Sequence, residues 1–79
     1  MTFNKWLDTL IEEKNIDPEA TFEIETPDCW HLMPYGVVIE AMQNTSAMEQ
    51  AAIKDMLVRI DFANGDIKHY LRHLAQALI

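Results

Sequence analysis

Seventy-nine residues bound this chain to one domain, because a core divided at this length would leave each half too little buried surface to hold itself together. Thirteen acids against six bases set the net charge at -7, which opposes non-specific attachment to nucleic acid or to an anionic membrane. Cys29 is the lone cysteine, so an intramolecular disulfide is excluded. With no secretory leader or membrane-length apolar run to be read, a cytoplasmic, reducing setting is expected.

In chain order, Phe3, Trp6, Leu7, Leu10 and Ile11 recur at i, i+3, i+4, i+7 and i+8, the spacing of one apolar stripe on a helix. Thr2 suits its N-cap, and Asn15, tolerant of the left-handed conformation, suits its end, with Ile16 folding back onto the stripe. Asp17-Pro18-Glu19 follows as a turn or a single helical turn. The period then falls to two in Thr21-Phe22-Glu23-Ile24-Glu25, which is strand spacing. Thr26-Pro27-Asp28-Cys29 carries turn chemistry, and Trp30-His31-Leu32 alternates again before Pro34. A small hairpin is expected here, laid against the helices because an isolated one is barely stable in water.

Pro34 suits the first position of a second helix whose stripe is Tyr35, Val38, Ile39 and Met42. Its β-branched run Val37-Val38-Ile39 would also serve as a buried strand, and Gly36 weakens the helix by roughly 1 kcal/mol relative to alanine. Ser46-Ala47-Met48-Glu49 matches a capping box and opens the third helix, for which Met48, Ala52, Ile53, Met56, Leu57 and Ile60 form the expected buried stripe. Asn64-Gly65 stops it. Asp66 caps a fourth helix striped by Ile67, Tyr70, Leu71, Leu74 and Leu78, and the short connection makes helices three and four neighbours. The expected fold is mainly α, or α+β once the hairpin is counted: four short helices with a small β-hairpin between helices one and two, in one compact acidic domain over 1–79.

Charge is segregated along this chain. Residues 1–53 carry ten acids and two bases, a charge of -8, whereas residues 54–79 carry four bases and three acids, a charge of +1. Glu23 and Glu25 share the outer face of the first strand, where solvation is the ordinary role and an anionic docking surface the functional one. Trp30 and Met33 stand out among the apolar residues, since a hairpin exposes one face and a large aromatic there can anchor a partner.

The opposite character belongs to helix four, where Lys68, His69, Arg72, His73 and Gln76 lie off the apolar stripe. Lys68 and Arg72, four apart, suit phosphate or a carboxylate-bearing partner, although a plain solvated face accounts for them as well. With helix three and the Phe62–Gly65 turn they resemble the outline of a DNA-reading helix-turn-helix, in spacing only; nucleic acid is disfavoured by the small number of cations and the net negative charge. His69 and His73 have the i, i+4 spacing of a shared zinc site, but no third ligand lies near in sequence beyond the cap Asp66, and two cations sit beside the pair. Cys29 and His31 would complete such a site only if the hairpin met helix four. No catalytic, cofactor or metal assignment is therefore made.

These residues lead to a non-enzymatic protein-interaction module, a small regulator or inhibitor acting through an acidic surface on a protein partner. The alternative is a helix-turn-helix nucleic-acid-binding regulator using residues 46–79. A core of this size contributes only roughly 3 to 5 kcal/mol unaided, so homo-oligomerisation is a further expectation.

Overall fold

The computed structural model describes residues 2–78, without the side chain of Leu78, so that member of the expected fourth stripe lies outside the described residues. Helix α1 (Phe3–Glu13) forms as its periodicity dictates. The Thr2 hydroxyl accepts the Lys5 amide at 3.2 Å, and Leu7, Leu10 and Ile11 are buried. Phe3 and Trp6 pack at the edge of the core with ring centroids 5.9 Å apart. Asn15 takes φ 54°, letting the Ile16 amide reach back to the Ile11 carbonyl at 3.1 Å while the Ile16 side chain folds into the core.

The next turn does two jobs. The Asp17 carboxylate accepts the Glu19 amide at 2.9 Å, fixing a turn rather than a helical segment. Its carbonyls at Pro18 and Ala20 then accept the amides of Gly36 and Tyr35, at 2.8 and 3.0 Å. That corrects the expected place of Pro34. It stands just before α2 (Tyr35–Gln43), extended at φ -71° and ψ 145°, because it is still paired with Thr21 in the hairpin. Gly36 eases this approach, since a Cβ there would lie 3.2 Å from the Pro18 carbonyl oxygen, a tight contact.

Strands β1 (Thr21–Glu25) and β2 (Trp30–Pro34) form an antiparallel hairpin, with β2 two residues longer than Trp30-His31-Leu32. The Thr26 hydroxyl closes the turn, donating to the Cys29 carbonyl at 2.7 Å and accepting the Cys29 amide at 3.2 Å. Phe22 and Ile24 turn into the core, as the alternation requires. The run Val37-Val38-Ile39 is helical. Helical spacing unites Val38 and Ile39 with Tyr35 and Met42 on one buried side and leaves Val37 exposed, an arrangement that a strand would not allow.

Helix α3 (Ala47–Phe62) starts at Ser46, whose hydroxyl accepts the Glu49 amide at 3.2 Å; the return bond from the Glu49 carboxylate is not formed among the described residues. Its buried seam is narrower than expected. Ile53 and Leu57 are buried and Ile60 partly so, but Met48 is 85% exposed and Met56 42%, and Ala52 is exposed too. The reason is that α3 has apolar residues around most of its circumference, and only the Ile53–Leu57–Ile60 side meets α2 and α4. Asn64, at φ 57°, ends α3 as Asn15 ends α1, and the Gly65 amide donates to the Ile60 carbonyl at 2.8 Å. The Lys14 ammonium pairs with the Asp61 carboxylate, joining these two helix ends.

Helix α4 (Ile67–Leu78) lies at the centre, against α2, α3 and β1. Its Ile67, Leu71 and Ala75 join one core cluster with residues from α1, β1, α2 and α3. No described helix is long and apolar enough to cross a membrane.

Candidate functional site

The two strands divide their side chains between a core face and an outer face. On the outer face the register sets Glu25 opposite Trp30 and Glu23 opposite Leu32, so each cross-strand pair joins a carboxylate to a large apolar group. Trp30 is 64% exposed and Leu32 70%, an unusual density of uncovered apolar surface for two neighbouring positions. Neither glutamate has an ion-pair partner among the described residues. The Gln76 amide donates to the Glu25 backbone carbonyl at 2.6 Å, tying this end of the hairpin to α4. Lysine and arginine match such a face, since their alkyl stems lie along apolar surface while the cationic head meets carboxylate or an aromatic ring.

Met33 does not belong to it. One residue beyond Leu32 on β2, and paired with Phe22, it points to the core side and is partly buried there. Leu32 takes the place expected for Met33: strand alternation puts Leu32, two residues from Trp30, on the same face and Met33 on the other, and the pairing register confirms it.

Near the turn, the Cys29 thiol lies 3.1 Å from His31 Nε2, with both residues exposed. A thiol needs an oriented base and a site for the developing oxyanion to work as a nucleophile. Among the described residues nothing hydrogen-bonds the other His31 nitrogen, and no group of three or more metal-binding side chains occurs, so Cys29 and His31 are not assembled with His69 and His73 into a site.

The basic face of α4 is drawn back into the fold. Arg72 donates to the Tyr35 hydroxyl at 3.0 Å and lies 3.9 Å from the Asp66 carboxylate, while Gln76 is committed to Glu25. Turning Arg72 towards α2 also relieves its repulsion with Lys68 at i, i+4. Lys68 is then the cation of this face without an ion pair among the described residues. Asp66 accepts the His69 amide at 3.2 Å and acts as the expected cap. His69 and His73 are exposed and border a shallow depression of about 380 Å³ with Ile60 and Tyr70. Burial pushes the Tyr70 phenol above its ordinary value of 10.0.

The chain matches no known protein family, no characterised protein and no solved structure.

Proposed function

We propose that this chain is a non-enzymatic protein-interaction module, a small cytoplasmic regulator or inhibitor that engages a basic segment of a protein partner through the outer face of its hairpin. The observation that carries this reading is the pairing of Trp30 with Glu25 and of Leu32 with Glu23 on one exposed surface. Trp30 is the anchor, a rigid aromatic that loses little freedom when covered. The glutamates select for positive charge and speed encounter, aided by the -8 carried by residues 1–53. The lone thiol of Cys29, which is exposed, suits a reducing compartment.

Affinity capture from the native cell, followed by titration of the recovered partner, tests this. Trp30→Ala should weaken binding by about thirtyfold or more, the scale of an interface hot spot. It should leave the melting temperature nearly unchanged, because an exposed residue is removed. Glu23→Lys with Glu25→Lys should slow association and reverse its dependence on salt. Capture that recovers no protein partner, together with turnover of a metabolite, would overturn the reading.

A further inference from the structure

We propose that the groove between α1 and α2 is a binding site for a linear aliphatic polyamine. The groove is an open cavity of about 720 Å³ whose floor is made by Ile11, Ile16 and Ile39. Each of these side chains is more than nine-tenths buried, so the core behind them fixes the floor. At one end the Gln43 side-chain amide donates to the Asp8 carboxylate at 3.4 Å and links the two helices. At the other the Gly36 amide donates to the Pro18 carbonyl at 2.8 Å and holds α2 against the turn that follows α1. The walls are therefore joined at both ends.

Charge identifies the occupant. Asp8 and Glu12 on α1 and Glu40 on α2 border the groove, and no lysine, arginine or histidine lines it. None of the three carboxylates has an ion-pair partner among the described residues. Asp8 and Glu12 stand one helical turn apart, where like charges repel, and a cation seated beside both offsets that repulsion.

The form of the cation follows from the rest of the lining. Among the described residues no group of three metal-binding side chains occurs, so these acids are spread too widely to share one inorganic ion. No aromatic ring lines the groove, which removes the cage that a quaternary ammonium ligand requires. About 720 Å³ is the size of a site that takes a whole small molecule rather than a single lysine side chain. A chain of methylenes carrying several ammonium groups meets all three conditions. Its methylenes lie along the isoleucines while its ammonium groups reach the separate carboxylates on the two helices.

Titration of the full chain with spermidine at low salt, from about 10 µM to about 10 mM and followed by methyl NMR, tests the site. The Ile11, Ile16 and Ile39 methyl signals should shift together and saturate. The combined variant Asp8→Asn, Glu12→Gln and Glu40→Gln should weaken binding about tenfold or more, since it keeps the shape of the rim and removes its charge. A second variant, Glu13→Gln, Asp28→Asn and Glu49→Gln, removes the same number of charges from positions that do not line the groove, and should weaken binding far less. All six acids are exposed, so both variants should keep the circular dichroism spectrum of the parent. Hexaamminecobalt(III), which has the charge of spermidine without its methylenes, should bind more weakly. Equal losses in the two variants, or cobalt complex and spermidine of equal affinity, would reduce the effect to the pull of an acidic chain on any polycation and overturn the proposal. Methyl signals that never saturate with spermidine would overturn it as well, and saturation by a lysine-rich peptide alone would give the groove to a protein partner instead.

Discussion

Leu57→Ala and Leu71→Ala should each remove about 2 to 5 kcal/mol of stability, enough to leave much of the chain unfolded at room temperature. Both side chains are completely buried, and they belong to α3 and α4 at the meeting of the helical layers. Truncating either loses the transfer energy of the removed carbons and opens a cavity that rigid helices on several sides cannot fully close. The effect is severe because a core of this size contributes only roughly 3 to 5 kcal/mol unaided. Urea unfolding followed by circular dichroism measures it. Met48→Ala and Met56→Ala serve as controls, since those methionines share the helix with Leu57 but point outward; each should fall within about 0.5 kcal/mol of the parent at concentrations where the chain is monomeric. Equal losses at Met48 and Leu57 would show that the wrong side of α3 has been placed against the core.

Gly65→Ala should destabilise the chain by about 1 to 3 kcal/mol, the cost of overpacking a tight site. A Cβ at this position would lie 2.8 Å from Ile60 Cγ2 and 3.3 Å from the Ile60 carbonyl oxygen, while the Gly65 amide holds that same carbonyl. Relief would require either displacing Ile60, which packs against the core, or breaking the bond that ends α3. Gly65 is not at positive φ; Asn64 is, so glycine serves here by its lack of a side chain rather than by its backbone freedom. A thermal melt of Gly65→Ala that matches the parent would contradict the close approach. Gly36→Ala is the instructive contrast, because the helix-propensity gain of roughly 1 kcal/mol there is opposed by a milder contact with the Pro18 carbonyl.

Where local chemistry decided the structure, the sequence was a good guide. The clean stripes of α1 and α4 could face the core in one way only, and Asn15 and Asn64 end their helices for the reason that makes asparagine unusual. The Thr2, Ser46 and Asp66 caps also depend on neighbours a few residues away. What escaped was decided at long range. Pro34 precedes its helix instead of opening it because carbonyls from the Pro18–Ala20 turn take the first helix amides. Arg72 and Gln76 look available on a helical wheel, yet their partners, Tyr35 and Glu25, are 37 and 51 residues away. For α3, apolar residues on nearly every side offered several stripes of equal merit, and the packing of α2 and α4 selected among them. The candidate site lay on the legible side of this division. Glu23, Glu25 and Trp30 were visible from alternation and size, and the same alternation carried one step further separates Leu32, beside Trp30, from Met33 on the core side, as the strand register shows.

The two-stranded sheet has helices on one side only, with Phe22 and Ile24 as its buried anchors and the Gln76 amide as a clasp at its far end. Segments with few buried anchors and exposed backbone bonds are the first to open in a native protein, well before global unfolding. The hairpin should therefore lose its amide protons to solvent sooner than α4, whose Leu71 and Ala75 lie at the bottom of the core. A ligand that lies across Trp30 and Leu32 would close these openings. Its grip would then be felt as slowed proton exchange throughout both strands, so that occupancy of one surface tightens the least tethered part of the molecule.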